Sequence, residues 1–202
     1  MIIFIFFGEQ IAAEDRIIIN FESPPSLNQE AKLIQNIKNY NSVQSIENYL
    51  MQQNWIENFL IKSSFFGKFH QIFIQSKKPK YVWKDKFYID SQVSTFAYDG
   101  GYPDLIRLNM PLEYLTFWIK AENQYITLFN DLSLTIRSVG FQPAVGWYLI
   151  TSDALRVNLG DELSNDTYQK LSFTLKYMFE NNLTPSIIDL RYKAGAALNY
   201  GK

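Results

Sequence analysis

The order of apolar patterns over residues 17–75 constrains the fold more than any other feature of the chain. This region divides into five consecutive segments with the patterns of a strand, two helices and two strands. They are residues 17–21, 27–37, 42–53, 56–62 and 69–75. Such an order in so short a length predicts a compact α+β module. A polar break with a proline at residues 77–80 marks its end.

The two predicted helices follow from capping residues and apolar spacing. Pro24 and Pro25 end the first strand, and Ser26 suits the N-cap position of the helix that follows. The first helix is predicted to bury a face formed by Leu27, Ala31, Ile34 and Ile37, and the second a face formed by Val43, Ile46, Tyr49 and Leu50.

The second half of the chain has the pattern of a mostly antiparallel sheet with two helices. Short strand-like runs are separated by turn residues such as Asp99-Gly100-Gly101. One helix is predicted within residues 113–139 and another over residues 166–179. The predicted strands are 81–83, 86–89, 92–96, 147–150, 154–159, 187–192 and 196–200. The fold class is therefore α+β, with two domains.

The N-terminal run of residues 2–7 is wholly apolar and allows two interpretations. It is too short to cross a bilayer, which takes about 20 apolar residues. No positive residue precedes it and no small-residue cleavage site follows, so it is a poor signal peptide. It is either a buried first strand or the outer end of a membrane helix.

Composition excludes most catalytic and metal chemistry. The 202-residue chain has no cysteine, one histidine and a formal net charge of −1, with 47% hydrophobic residues. The absence of cysteine removes disulfides, thiolate zinc sites and cysteine nucleophiles. The charge balance argues against a nucleic-acid-binding protein, and no GxxxxGK or GxGxxG loop supports nucleotide binding. A binding or scaffolding role follows as the leading hypothesis.

The residues that could carry chemistry have simpler structural interpretations. His70 stands at the start of a predicted strand, and no GxSxG motif accompanies it. Asp161, Glu162 and Asp166 lack the central glycine of a calcium loop, and Asp166 is predicted to cap a helix. Cations and aromatics interleave over residues 77–88, as in single-stranded nucleic-acid sites. The same interleaving describes a strand with one solvated face, which is the favoured interpretation.

The C-terminal hairpin has the one pattern that points to a site. Ile188, Leu190 and Tyr192 alternate with Asp189 and Arg191 before a glycine turn. Residues 196–200 then contain neither charge nor proline, the usual protections of an exposed sheet edge. The last strand is either an ordinary member of its sheet or a docking edge for a partner's strand.

At this hairpin the sequence resembles the FtsQ/DivIB family of bacterial cell-division proteins. Residues 189–197, Asp-Leu-Arg-Tyr followed by a glycine turn and small residues, are similar to the closing motif of that family. Further similar segments lie in the same order upstream. They are residues 55–56, 78–83, 88–96, 146–149 and 157–160. The resemblance covers about residues 16–200.

The resemblance implies a single-pass inner-membrane protein whose bulk lies in the periplasm at the division septum. Residues 1–15 are then the remnant of the membrane helix and a linker, 16–79 a POTRA-like domain that faces other division proteins, and 80–202 a β domain. The implied role is non-enzymatic and uses no cofactor, small-molecule substrate or nucleic acid. Such a protein recruits and regulates the septal peptidoglycan synthesis machinery by binding the division proteins FtsB and FtsL.

In such proteins the final strand receives a strand of FtsB, and Arg191 would pair with an acidic residue of that partner. The implied binding residues are Arg191, Tyr192, Ala194, Gly195, Ala196, Ala197, Leu198 and Tyr200. Three features depart from the family pattern. Phe21-Glu22-Ser23 stands where a glycine usually follows the first strand, Tyr200 replaces a common tryptophan, and Asp161-Glu162 stand where a basic residue is usual.

Three other functions stay open from the sequence. The first is another POTRA-containing envelope assembly or secretion component, which repeated POTRA units or a barrel would mark. The second is an enzyme acting on wall polymer through His70. The third is a nucleic-acid module binding through residues 77–86, with a steep salt dependence.

Overall fold

The computed structural model describes residues 2–6, 16–64 and 69–201. Its internal packing divides the chain into two units. The first comprises Met1–Lys80 with Lys86–Pro103, and the second comprises Tyr81–Asp85 with Asp104–Lys202. In this division residues 86–103, which the prediction places in the β domain, group with the first unit.

The first unit contains a four-stranded sheet with two helices. Its strands are β1 (Ile2–Phe6), β2 (Arg16–Ser23), β3 (Ile56–Ser63) and β4 (Phe69–Ser76), in the order β1-β2-β4-β3. The helices α1 (Leu27–Ile37) and α2 (Val43–Met51) lie between β2 and β3 in the chain. Strands β2 and β4 are parallel, as the connection through two helices permits. The predicted strand-helix-helix-strand-strand order is confirmed.

Residues 2–6 form a strand, the first of the two interpretations that the sequence allowed. Strand β1 pairs antiparallel with β2, with Ile2 opposite Asn20 and Phe6 opposite Arg16. Isoleucine and phenylalanine favour extended structure, and the Ile-rich β2 offers a matching partner. The expectation of a helix end at these residues is therefore corrected. The expected linker over residues 7–15 lies outside the described residues.

Helix α1 begins where predicted but buries only part of the predicted face. Ser26 forms a capping box with Gln29, in which each side chain bonds the backbone of the other residue. Leu27 is 82% exposed, whereas Leu33 and Ile37 are fully buried. Two overlapping apolar stripes exist in this helix, and the predicted one, through Leu27 and Ala31, faces outward for its first two turns.

The segment of residues 86–103 is held in the first unit by the side chain of Asp99. Its carboxylate accepts hydrogen bonds from the hydroxyls of Ser26 and Tyr88 and from the backbone N–H of Gly101, the last at 3.0 Å. Burial raises the pKa of the Tyr88 hydroxyl, and the bond to Asp99 raises it further, so Tyr88 stays a donor. A Cβ atom at Gly101 would overlap the Ser26 side chain, so only glycine fits this approach.

The second sheet has nine strands and mixed pairing. Its order is β13-β12-β11-β10-β9-β8-β5-β6-β7. The strands are β5 (Pro79–Trp83), β6 (Phe87–Asp90), β7 (Thr95–Ala97), β8 (Ile106–Asn109), β9 (Ile136–Gln142), β10 (Gly146–Thr151), β11 (Arg156–Gly160), β12 (Ile187–Asp189) and β13 (Ala197–Asn199). Pairs such as β9–β10 and β12–β13 are antiparallel, whereas β5–β8, β8–β9 and β11–β12 are parallel. The predicted α+β class is confirmed.

Two helices of the second unit, α3 (Leu115–Asp131) and α4 (Asn165–Glu180), form its core with the sheet. Trp118 and Tyr125 of α3 and Leu171 and Leu175 of α4 are fully buried, and the Tyr125 ring meets that of Tyr168 edge-on at 5.8 Å. Among the described residues, no helix is long and apolar enough to cross a membrane.

Two details of these helices differ from the prediction. Helix α3 ends at Asp131 because Ser133 takes a left-handed turn with φ of 58°, so Ile136 starts a strand instead of extending the helix. Helix α4 is capped by Ser164, whose hydroxyl accepts from the N–H of Thr167, and not by Asp166, which lies in the first turn.

Candidate functional site: the C-terminal sheet edge

Strand β13 lies at the end of the nine-stranded sheet. Strand β12 pairs in parallel with β11 on one side, and β13 pairs antiparallel with β12 on the other. Within β12 and β13, Ile188 faces Leu198 and Asp189 faces Ala197. The other side of β13 pairs with no strand of the described residues.

The hydrogen bonds of β12 show which backbone groups of β13 face away from the sheet. The N–H of Arg156 bonds the carbonyl of Ser186 at 3.0 Å, and the N–H of Leu190 bonds the carbonyl of Asn158 at 2.9 Å. Because backbone groups alternate in direction along a strand, the groups of Ile187 and Asp189 face β13. Their partners are Asn199 and Ala197, which leaves the N–H and C=O of Leu198 directed outward.

The residues predicted to bind a partner all lie on this hairpin. Tyr192 and Tyr200 are 58% and 55% exposed, large fractions for aromatic side chains. Gly195 has φ of +77°, a left-handed conformation that suits glycine in the turn before β13. The remaining predicted residues are exposed or half-buried: Arg191, Ala194, Ala196, Ala197 and Leu198.

Arg191 is held by an acidic residue of its own chain. Its Nε bonds both carboxylate oxygens of Asp189 at 2.9 and 3.1 Å, and its Nη2 bonds Oδ2 at 2.6 Å. The Arg191 side chain lowers the pKa of the Asp189 carboxyl below its usual value. The Nη1 group donates to no described residue, so the guanidinium keeps donors for a second carboxylate.

A polar strip supports Asp189 across the neighbouring strands. The side chain of Asn158 on the neighbouring strand also lowers the pKa of Asp189. The Nε of Arg156 donates to Asn158 Oδ1 at 2.9 Å, and the Arg156 guanidinium lies 4.3 Å from the centre of the Tyr148 ring. This chain of contacts fixes the position of Asp189, and through it the position of Arg191.

Lys170 of α4 and Ser186 fix the backbone of the hairpin, and the sequence analysis missed both. Lys170 Nζ donates to the carbonyls of Leu190 and Tyr192 at 3.2 and 2.7 Å. The Ser186 hydroxyl donates to the carbonyls of Asn199 and Gly201 at 3.1 and 2.6 Å. No sequence motif marks such side-chain-to-backbone bonds, because they join residues at least 13 positions apart.

An apolar groove of about 670 Å³ begins where β13 ends. Its wall contains Tyr200 and Gly201, the residues that follow β13, together with residues from the turns and from the end of α4. Those include Leu134, Leu155, Met178, Phe179, Leu183 and Pro185. The sequence analysis did not identify this groove, since its wall comes from four separate segments of the chain.

The first sheet also has an edge, at β3, but that edge is protected. Glu57, Asn58 and Lys62 of β3 are exposed. The register shifts between Ile56 and Asn58, which interrupts the regular ladder. Charges and bulges of this kind oppose the addition of a further strand. Strand β13 has neither a charge nor a proline, so its edge is less protected against the addition of a further strand.

The residues considered above for catalysis, nucleic-acid binding or metal binding do not form such sites within the described ranges. His70 is buried in β4, where its Nδ1 lies 2.9 Å from the hydroxyl of Ser63 on the neighbouring strand. Tyr81 and Tyr88, within the cationic and aromatic stretch, are buried and cannot stack on bases. The described ranges contain no group of three or more His, Asp or Glu side chains placed to hold a metal ion.

Comparison with known proteins identifies distant relatives. No protein family model matches the chain. The chain is similar to the cell division protein FtsQ of Aliivibrio fischeri (strain ATCC 700601 / ES114), with 19% identity over 166 residues, 78% of this chain and 62% of that protein. It is also similar to the cell division protein FtsQ of Vibrio cholerae serotype O1 (strain ATCC 39315 / El Tor Inaba N16961), with 24% identity over 139 residues, 64% of this chain and 51% of that protein. The chain thus spans between half and two thirds of the length of these relatives.

Proposed function

We propose that this chain, a distant homologue of the FtsQ cell-division proteins, is a non-enzymatic scaffold of the bacterial division machinery. In this role it captures a strand of a partner protein at β13. The partner is the FtsB–FtsL pair, and its capture recruits and regulates septal peptidoglycan synthesis. In this proposal the protein is a single-pass protein of the inner membrane, and the bulk of the chain lies in the periplasm. The first unit contacts other division proteins.

The observation that carries the proposal is the free edge of β13. The backbone N–H and C=O of Leu198 face outward, and β13 lacks the charges and bulge that protect β3. Such an edge is a template for another strand. The small residues Ala194, Gly195, Ala196 and Ala197 let a second backbone approach closely, which supports strand addition at this edge.

Energetic magnitudes show that backbone pairing needs help from side chains. Each backbone hydrogen bond of an added strand stabilises the complex by about 0.5–1.5 kcal/mol. Association itself costs about 4–15 kcal/mol in lost motion. About four such bonds therefore do not suffice. Tyr192, Tyr200 and the free donors of Arg191 are the exposed groups that can supply the rest, since aromatic and arginine side chains dominate binding energy at interfaces.

The proposal is tested by replacing Leu198 with proline. Leu198→Pro removes only the N–H that faces outward, so the bonds between β12 and β13 persist and the fold is retained. We expect this variant to lose binding of the periplasmic part of FtsB from the same genome, measured by titration calorimetry. Leu198→Ala is the matched control, since it keeps the N–H and shortens the side chain, and it should retain most of the affinity. Unchanged affinity of Leu198→Pro, with an unchanged unfolding midpoint, rejects the docking edge.

A further inference from the structure

The groove at the end of β13 is continuous with the docking edge. Tyr200 and Gly201 belong to its wall and directly follow the last residue of β13. The Ser186 hydroxyl bonds the carbonyls of Asn199 and Gly201, so this stretch of chain is fixed in place as part of the wall. A strand that pairs along β13 would therefore pass or end beside the groove wall at this end.

The lining of the groove selects for an apolar occupant. Met178, Leu155 and Pro185 are buried in its floor, while Phe179 is 46% exposed at its side. Asp153 carries the only formal charge among the described lining residues, and its carboxylate accepts a hydrogen bond from Thr151 Oγ1 at 2.5 Å. A volume of about 670 Å³ is in the range of sites that hold a drug-sized ligand, so it has room for a large side chain.

We infer that this groove binds an apolar, preferably aromatic, side chain of the partner segment that flanks the added strand. This inference rests on the proposed strand addition at β13 and adds a second anchor to it. The groove supplies apolar contact area that the short edge strand lacks, because β13 has only three residues. Its position fixes the register of the partner strand, since only one alignment brings the flanking side chain to the groove.

The test compares two exposed phenylalanines of the same helix. Phe179→Ala shortens a side chain of the groove, whereas Phe173→Ala shortens a side chain that is 71% exposed and outside its lining. With the full chain and the periplasmic part of FtsB, we expect Phe179→Ala to weaken binding about tenfold and Phe173→Ala to change it less than twofold. Equal affinity of wild type and Phe179→Ala overturns the inference. If Leu198→Pro still abolishes binding in that case, the docking edge itself stands.

A second measurement identifies the occupant without relying on a weakened variant. A benzoylphenylalanine photo-crosslinker replaces Thr184, an exposed residue of the groove wall. We expect cross-links to the partner residues immediately next to its added strand, mapped by mass spectrometry. Cross-links between two copies of this chain, or to partner residues distant from the strand, contradict the inference. Normal binding by Leu198→Pro points instead to failure of the proposed function, whatever the affinity of Phe179→Ala.

Discussion

Arg191 and Asp189, two residues apart, form a three-contact ion pair beside the sheet edge at β13. The Asp189 side chain is 16% exposed and that of Arg191 44% exposed. The Asp189 carboxylate is therefore mostly covered, and it holds the more exposed Arg191 guanidinium at the surface. A cation held in this way reaches a partner with less loss of side-chain freedom than an unsupported one.

The ion pair predicts a specific pH dependence of stability. The pKa of Asp189 is lower in the folded protein than in the unfolded chain, so its contribution is complete above the unfolded value of about 4 and is lost as the pH falls through the folded value. We expect Asp189→Asn to destabilise the protein at pH 7, and the difference from wild type to shrink as the pH falls below about 4. Urea unfolding at a series of pH values measures this difference. A constant difference across the series contradicts the role of the charge.

Arg191 is expected to be irreplaceable by lysine. A lysine ammonium cannot bond both oxygens of Asp189 and still present a fixed donor to a second carboxylate. We predict that Arg191→Lys lowers affinity for the FtsB partner about tenfold. Lys193→Ala is the control, since Lys193 is an exposed cation of the same turn with no ion pair among the described residues, and it should bind normally. Wild-type affinity of Arg191→Lys would contradict the prediction and show that a positive charge at this position is enough.

The substitution Gly101→Ala tests whether residues 86–103 pack as part of the first unit. Gly101→Ala places a methyl group on the Ser26 side chain and disturbs the bonds of Asp99. Overpacking of this kind costs about 1–3 kcal/mol. We expect a loss of that size in the free energy of unfolding, whereas Ser91→Ala, at an exposed position of the same segment, should have little effect. An unchanged unfolding free energy for Gly101→Ala would contradict the tight approach.

Tyr81 and Glu122 form a buried hydrogen bond in the second unit, with Glu122 6% exposed. Burial first, and then the Glu122 carboxylate, raise the pKa of Tyr81, so its hydroxyl remains a donor at neutral pH. Tyr81→Phe removes this donor and should destabilise the protein by about 1–3 kcal/mol. Tyr177→Phe, at a side chain that is 57% exposed, should be neutral in the same denaturation experiment. A neutral Tyr81→Phe would show that the bond adds nothing to stability.

Local patterns predicted the elements of this protein well and their spatial order less well. The alternation of Ile188 and Leu190 with Asp189 and Arg191 indicated the hairpin, since neighbouring residues of a strand face opposite sides. The buried face of α1 was predicted correctly at Ile37 and wrongly at Leu27 and Ala31, because these two residues fit the helical period as well as the buried Leu33 does. Only packing against the sheet decides between two such stripes.

The position of β13 at the sheet edge depends on contacts that no local pattern encodes. Strand β12 adds to β11 in parallel, through a crossover that contains α4. The support of the hairpin by Lys170 and the groove beside Tyr200 depend on the same crossover. These features join segments that are distant in sequence, so their assembly becomes visible only in the fold.

The crossover through α4 also places the sheet edge at β13 one strand beyond β12. Strand β12 pairs with β11 after that crossover, and β13 pairs only with β12 among the described strands. In the proposed function, a partner strand at β13 would lengthen the nine-stranded sheet by one strand and would be joined to the rest of the sheet only through β12.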